Sequence, residues 1–248
     1  MPIVLVHGNP ETDAIWDDLR THLGRTDVIA LSPPGFGAPV PDGFGATSDE
    51  YVMWLAQELE RIDGPIDLVG HDWGGGHVMR LVQARPELVR SWTTDIGGCF
   101  DPDYVWHDLA QVWQKPGAGE AAIAQMVAAP TDQRAQQFEG LGMSKHVAAR
   151  VAAASDATMG ACILSLYRSA AQPRMAEWGA DVTNLRSRPG LVIIATEDHF
   201  TGGEALARRT AERAGARVAI LEGLGHWWMC QDPKRGADLI ANFVNSLA

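Results

Sequence analysis

The chain has 248 residues, 46% of them apolar, and a formal net charge of −11 at pH 7. This length suits one large α/β domain with a sizeable core. The negative charge excludes a nucleic-acid partner, because phosphates would be repelled, and no basic run or long apolar stretch predicts a membrane partner.

The N-terminus and the cysteines bear on the compartment. The opening residues, MPIVLVHGNP, lack the basic flank and the apolar length of a signal peptide. Cys99, Cys162 and Cys230 are scattered and odd in number, which is typical of reduced thiols. We therefore predict a cytoplasmic protein. No CxxC or HExxH motif indicates a metal, and no cofactor is expected.

Short β-branched runs alternate with amphipathic segments along the chain, which predicts βα units and a parallel sheet. Most of these runs are continuously apolar, as strands covered on both faces are. Six strands are expected, at residues 3–7, 27–31, 66–70, 91–97, 190–196 and 217–221.

Two helices carry clear start signals. Thr47 and Glu50 have the spacing of a capping box, ahead of an apolar helical face. The last helix is predicted to start at Asp232, with Pro233 in its first turn.

The alternation of strands and helices stops between residues 101 and 185, which read as several helices without a strand. This segment is predicted to be a helical cap or lid over the carboxyl ends of the strands, where open α/β sheets bind ligands. Segments 1–100 and 186–248 would then form the core domain. The alternative is a helical excursion that only buries apolar surface.

The segment GHDWGG, residues 70–75, follows the third strand and precedes a helix. This is the strand–turn–helix context of a nucleophile elbow, in which a sharp turn presents one side chain at the top of the sheet. Asp72 holds the position that serine holds in esterases. Its alternative role is a helix N-cap.

A carboxylate at this position predicts a particular chemistry. Asp72 is ionised at neutral pH without the help of a base, and it can displace a leaving group from an sp3 carbon. The product is an alkyl ester of the enzyme, which water must then cleave with the help of a base.

His226 and Asp198 are the expected base and orienting acid. His226 follows the last strand, and Asp198 follows the fifth strand. The order Asp72, Asp198, His226 is the nucleophile–acid–histidine order of the elbow-containing hydrolases. Glu197 is a rival orienting acid, and His226 alone would be read as an ordinary loop histidine.

An oxyanion hole is expected beside Asp72. Gly8 permits a sharp turn after the first strand, and the backbone N–H groups of Asn9 and Trp73 should face the Asp72 carboxylate. His7 is expected to support this loop rather than to react.

Five segments together resemble the α/β-hydrolase superfamily, and within it the aspartate-nucleophile branch of epoxide hydrolases and haloalkane dehalogenases. They are HGNPE, SPPGFG, GHDWGG, ATEDHF and GHWW. The resemblance implies an α/β fold with a mostly parallel sheet and a helical lid. Because the chain begins on the strand that carries HGNPE, the first two family strands are absent, and about six strands remain.

The resemblance to epoxide hydrolases implies two lid tyrosines that bind the epoxide oxygen and donate a proton. Tyr167, in LSLYRSA, matches the second of these, whereas Tyr104 matches the first less well and His107 could replace it. The resemblance to haloalkane dehalogenases implies halide donors at Asn9 and Trp73. The sequence favours epoxide opening over dehalogenation.

A third hypothesis is a hydrolase-fold protein that binds a small ligand without turnover. The lid tryptophans, Trp106 among them, together with His107 predict a pocket for a small, apolar, neutral substrate, with water as co-substrate. A monomer and a homodimer are both compatible with the sequence.

Overall fold

A computed structural model describes residues 1–247 of the chain. Six strands form one sheet in the order β2-β1-β3-β4-β5-β6, and every neighbouring pair is parallel. This confirms the predicted fold class, a parallel α/β sheet of six strands. The strands span Ile3–Val6 (β1), Val28–Leu31 (β2), Asp67–Gly70 (β3), Ser91–Thr94 (β4), Gly190–Ala195 (β5) and Arg217–Leu221 (β6).

The fourth strand is shorter than the sequence predicts. It ends at Thr94 rather than at Gly97, because the Thr94 hydroxyl accepts the backbone N–H of Ile96 and the chain turns into a short 3-10 helix, Gly97–Phe100. Asp95 therefore lies just beyond the strand end, in the loop that faces the site.

Helices connect the strands and cover both faces of the sheet. Thr47 and Glu50 form the predicted capping box, and Asp232 caps the last helix ahead of Pro233. The helices span Asp17–Leu23 (α1), Ser48–Leu59 (α2), Trp73–Ala84 (α3), Asp108–Gln114 (α4), Ala118–Ala128 (α5), Thr131–Gly140 (α6), Lys145–Ala154 (α7), Ala157–Ser169 (α8), Arg174–Ala180 (α9), Gly203–Ala214 (α10), Trp228–Gln231 (α11) and Pro233–Asn245 (α12).

The core consists of two apolar clusters, one on each face of the sheet. Alternate residues of β1 divide between them: Val4 and Val6 belong to one cluster, whereas Ile3 and Leu5 belong to the other. This division follows from the two-residue period of a strand that is buried on both sides. All four residues are fully buried.

Helices α4 to α9 follow one another between β4 and β5, and the described residues of this segment contain no strand. Their buried side chains join both core clusters, Ile163 one and Val151 the other, so the segment shares its apolar core with the sheet. The predicted core segment 186–248 includes Ala248, which lies outside the described residues.

No single helix within residues 1–247 has the length and apolar character to cross a membrane. Only α7 and α8 taken together meet these criteria, and they are bent by 88° at their junction.

The sheet has a switch point between β1 and β3. The chain places β2 outside β1 and then returns to place β3 on the other side. Val6 pairs with Gly70 at the carboxyl ends of these strands, and Gly70 pairs with Thr94 of β4. The loops that follow β1, β3 and β4 therefore start at one level, where sheets of this kind bind ligands.

Candidate active site

Asp72 lies on a strained turn between β3 and α3. Its φ is 48° and its ψ is −128°, and its side chain makes no capping hydrogen bond to α3. The N-cap role is therefore not the one its side chain plays. A non-glycine residue in this conformation costs of order 1–3 kcal/mol, so the conformation persists only because the surrounding packing holds it. The turn is tight: a Cβ on Gly74 would lie 2.2 Å from the Val6 carbonyl oxygen.

The loop after β1 holds one oxygen of the Asp72 carboxylate. The backbone N–H of Asn9 donates to Asp72 Oδ1 over 2.9 Å. A Cβ on Gly8 would lie 2.1 Å from that oxygen, so the close approach requires glycine there. Trp73 is the first residue of α3, and first-turn N–H groups have no carbonyl partner within the helix. The site thus resembles an oxyanion hole around Oδ1.

His226 lies beside the other carboxylate oxygen. Its Nδ1 bonds Asp198 Oδ2 over 2.8 Å, and its Nε2 lies 3.8 Å from Asp72 Oδ2. The second distance is too long for a hydrogen bond, so Nε2 is available to a third molecule. Glu197, the rival acid, is exposed and makes no contact of this kind, whereas Asp198 is buried.

Burial and neighbouring charges set the protonation of these groups. Burial raises the pKa of Asp72 to about 6, against the attraction of His226. For His226, burial lowers the pKa, but the Asp198 carboxylate outweighs it and the net shift is upward. For Asp198, burial raises the pKa and His226 outweighs it, so that acid stays ionised. Above pH 6, the site therefore contains two carboxylates and one titrating imidazole.

A second buried charge cluster underlies the site, and the sequence interpretation missed it. His71 Nδ1 lies 2.5 Å from Asp95 Oδ2, and His71 Nε2 lies 2.9 Å from Glu11 Oε1. Burial lowers the pKa of His71, but Asp95 and Glu11 raise it well above its ordinary value. Burial raises the pKa of Glu11, but the His71 charge brings it down to about 2. His71 is thus an imidazolium between two carboxylates.

This cluster connects the loops that carry the site. Glu11 accepts the N–H of Gly8 and the indole N–H of Trp227, and Asp95 accepts the backbone N–H of Asp72. Asp95 also accepts the indole N–H of Trp228. The loops after β1, β3, β4 and β6 therefore meet at one imidazolium.

Two residues of this cluster, together with His226, have the composition of a metal site. The candidate ligand atoms of Glu11, His71 and His226 lie within 4.8 Å of one another. His71 Nε2 already bonds Glu11, and Glu11 accepts two further N–H groups. The Glu11 and His71 atoms are committed to hydrogen bonds, so we assign these two residues to the network described above.

The predicted lid tyrosines have different surroundings. Tyr167, on α8, packs edge-on against Trp73 and borders the space in front of Asp72. The Tyr104 hydroxyl donates to the Phe200 carbonyl over 3.0 Å. This bond uses the proton that the prediction required Tyr104 to give to a substrate. Burial raises the pKa of both tyrosines, so both remain protonated at neutral pH.

His107 and Trp106, the predicted pocket residues, line the same cavity as Asp72. His107 Nδ1 accepts the N–H of Ala110 and caps α4, which leaves the proton of the neutral ring on Nε2. Burial lowers the pKa of His107 and favours this neutral form. Trp106 stacks on Trp73, with ring centroids 5.8 Å apart. His7 bonds Gly8 O and Ser32 Oγ, which supports the loop after β1.

Two cavities meet at Asp72. The large chamber, about 240 Å³, extends past Trp113, Met126 and Leu141 of the helical segment. The small chamber, about 20 Å³, extends past Cys99, Met175 and Trp178 on the other side. Four residues border both chambers: Asp72, His107, Tyr167 and Phe200.

Comparison with known proteins decides the family. A model of the Alpha/beta hydrolase family matches residues 3–239 of the chain. The chain belongs to the alpha/beta hydrolase family. This agrees with the six-stranded parallel sheet and with the elbow that carries Asp72.

Curated relatives of this hydrolase match it partly or distantly. Lipase LipV of Mycobacterium tuberculosis is 36% identical over 88 residues, which are 35% of this chain and 33% of the lipase. An uncharacterized protein of Mycobacterium bovis is 23% identical over 268 residues, covering 98% of this chain and 75% of the relative.

Solved structures resemble this hydrolase over almost its whole length. The haloalkane dehalogenase DbeA of Bradyrhizobium elkani superposes with a TM-score of 0.73 at 20% identity, covering 99% of this chain and 91% of the dehalogenase. An E-2-(acetamidomethylene)succinate hydrolase gives a TM-score of 0.70 at 15% identity, covering 98% and 91% of the two chains. At these identities, the likeness establishes the fold alone.

Proposed function

We propose that this hydrolase opens an epoxide to a vicinal diol through a covalent ester on Asp72. The observation that carries the proposal is the geometry around the Asp72 carboxylate. Oδ1 accepts the Asn9 N–H, whereas Oδ2 lies 3.8 Å from His226 Nε2, and Asp72, His226 and Tyr167 line one cavity. One oxygen is thus held by a donor and the other is presented to a substrate.

In the first step, Asp72 Oδ2 attacks an epoxide carbon, and the bond from that carbon to the epoxide oxygen breaks. Tyr167 donates its proton to the departing oxygen, which becomes the first hydroxyl group. The neutral His107, through its Nε2–H, is the second donor to that oxygen. The high pKa of Tyr167 keeps its proton in place until the developing alkoxide, a stronger base, takes it.

In the second step, His226 takes a proton from water and the resulting hydroxide adds to the Asp72 Cγ. The tetrahedral oxyanion forms on Oδ1, beside the Asn9 N–H. Collapse breaks the Cγ–Oδ2 bond, and the departing diol oxygen takes the proton from His226. Asp72 is regenerated as an acid, whose proton returns through solvent to Tyr167.

Alkylation itself prepares the base. The Asp72 charge is one of the groups that raise the pKa of His226, and ester formation removes this charge. The neighbouring His71 imidazolium lowers the pKa of His226 further. The ester form therefore contains a more readily deprotonated His226, as the second step requires.

A specific observation favours dehalogenation as the second candidate. Both side-chain polar atoms of Asn9 are buried without a hydrogen-bond partner. An amide N–H in this state could bind a departing halide, together with Trp73, and the haloalkane dehalogenase DbeA shares the fold. A lipase-type reaction, suggested by the partial match to LipV, is disfavoured because Asp72 occupies the nucleophile position.

Trapping the ester tests the two-step scheme. In His226→Gln, exposure to styrene oxide should leave a covalent adduct on the Asp72 peptide, visible by mass spectrometry. Asp72→Ala should show neither adduct nor diol. In wild type, a single turnover in ¹⁸O-labelled water should place the label in the Asp72 carboxylate. Label found only in the diol would exclude the ester.

A matched pair of variants tests the leaving group. Tyr167→Phe should lower epoxide turnover by on the order of 10²-fold, the usual scale for a positioned acid. Tyr104→Phe should have a much smaller effect, because its hydroxyl donates to Phe200. Both should be assayed beside a 1-bromoalkane. Halide release without diol formation would favour the second candidate.

A further inference from the structure

We infer, on the basis of the proposed function, that the substrates are terminal epoxides, with their single substituent in the large chamber. Cys99 and Met175, which line the small chamber, are then the residues that reject a second substituent. The inference depends on where the two chambers meet and on their unequal volumes.

The reacting epoxide ring must lie at the junction of the chambers. Asp72 attacks from there, and Tyr167 and His107 also border both spaces. A three-membered ring has two carbons, and substituents on them point to opposite sides of a trans-disubstituted ring. One substituent can enter the large chamber, and the other would have to enter the small one.

The two chambers differ in volume by an order of magnitude, about 240 Å³ against about 20 Å³. A single water occupies about 10–15 Å³ of space measured in this way. The small chamber therefore has room for a CH₂ group or a water, and a longer alkyl group would overlap its wall.

Polar contacts also link the wall of the small chamber to neighbouring helices. The Arg80 guanidinium lies 4.0 Å above the Trp178 ring, which pins α9 to α3. Asp49, on α2, accepts from Arg80 over 2.5 Å and from Arg174 over 3.4 Å. Met175 is therefore carried on a helix that a cation–π contact and two ion pairs link to α2 and α3.

The large chamber has the opposite character. Leu109 and Leu141 line it and are nevertheless 47% and 53% exposed, so they mark its opening to solvent. A substituent of considerable length can extend between these two side chains. The geometry therefore limits the substrate on one carbon and leaves it free on the other.

Two isomeric substrates test the inference, because they have the same molecular formula and differ only in where the alkyl carbons are attached. Wild-type kcat/KM should be on the order of 10²-fold higher for 1,2-epoxyhexane than for its isomer trans-3,4-epoxyhexane, because the latter bears an ethyl group on each ring carbon and one of these exceeds the room in the small chamber. Met175→Ala and Cys99→Ala should each narrow this ratio, by roughly tenfold for the methionine. Met126→Ala, the same change in the large chamber, should leave the ratio unchanged.

The outcomes separate the two proposals. Similar kcat/KM values for both isomers in wild type would overturn the inference and leave the epoxide reaction intact. A ratio that Met126→Ala narrows as much as Met175→Ala would also overturn it. No diol from either isomer, with no adduct on Asp72 in His226→Gln, would overturn the proposed function and the inference with it.

Discussion

At the scale of single residues, Asp72 is placed at a cost to stability. Its carboxylate is largely removed from solvent, and its pKa is raised from 3.8 to about 6. Below pH 4, the group is protonated in both the folded and the unfolded chain and contributes no difference. Between pH 4 and 6, it ionises in the unfolded chain first, so stability falls as the pH rises through this range.

We therefore predict that Asp72→Asn raises the free energy of unfolding at pH 7.5 by up to about 3 kcal/mol. Asparagine tolerates the positive φ of this position and can still accept the Asn9 N–H. Urea unfolding at pH 7.5 and at pH 4 measures the effect, which should shrink at the lower pH. A variant less stable than wild type at both pH values would contradict the assignment.

The same titration governs the first chemical step. Since the attacking group is the carboxylate, the rate of ester formation should be constant above pH 7 and fall about tenfold per pH unit well below pH 6. Ester hydrolysis should also slow as the pH is lowered, because His226 acts as the base only in its neutral form. Rapid-quench mass spectrometry resolves the two steps. Ester formation at equal rates at pH 5 and pH 8 would be inconsistent with this assignment.

At the scale of elements, the His71 imidazolium joins four loops of the sheet. We predict that both ring nitrogens of His71 still carry protons at pH 8, because Glu11 and Asp95 raise its pKa. Nitrogen-15 NMR of the histidines measures this directly. His199, an exposed histidine on the loop after β5, serves as the internal reference.

The contribution of His71 to the free energy of unfolding depends on pH as expected for a histidine with a raised pKa. Its contribution is complete below pH 6.5 and is lost as the pH rises through the higher folded-state value. His71→Phe should destabilise the fold by about 3–5 kcal/mol, because two buried carboxylates lose their partner. A deprotonated His71 at pH 8 would refute the network.

Arg134 plays a comparable part among the helices between β4 and β5. Its guanidinium donates to Val127 and Ala129 at the end of α5, and to Ala152 near the end of α7. Partial negative charge collects at helix C-termini, so a buried cation is stabilised there.

Arg134→Lys should therefore destabilise the protein by on the order of 3 kcal/mol, since an ammonium group cannot reproduce the planar fork. Hydrogen exchange should quicken in α5 and α7 while amides of β1 and β3 stay protected. Arg150, half-exposed on α7, provides the control: Arg150→Lys should leave both measurements near wild type. Equal loss of protection in helices and sheet would contradict the local role.

Features formed by residues close together in the chain can be predicted from the sequence, whereas features that join distant residues are harder to predict. The elbow around Asp72 and the six strands follow from apolar runs and turn residues near each other in the chain. In the Glu11–His71–Asp95 cluster, His71 is 60 positions from Glu11 and 24 positions from Asp95 in the chain. All three follow strand ends, which is the signal that could have brought them together. Whether the Tyr104 hydroxyl faces the site depends on its rotamer, and no sequence pattern specifies that.

At the scale of the whole molecule, the net charge is negative and the site is itself anionic. The formal net charge is −11, and Asp72, Glu11, Asp95 and Asp198 lie close together with His71 as the cation between two of them. Such a potential repels anionic substrates and has no first-order effect on neutral ones. The charge of the molecule thus supports the expectation of a neutral substrate.

A charged analogue tests this expectation. We predict that 5,6-epoxyhexanoate has a kcat/KM at least about tenfold below that of 1,2-epoxyhexane at low ionic strength, because the carboxylate meets a repulsive potential. The gap should narrow as sodium sulfate is added, since salt screens charges separated by more than about 10 Å at 0.1 M. The neutral substrate should change little over the same series. Arg134 lines the large chamber, but all its N–H donors are engaged with Val127, Ala129, Thr131 and Ala152, so it has none left to bind a substrate carboxylate. A faster reaction with the carboxylate-bearing substrate would contradict this prediction.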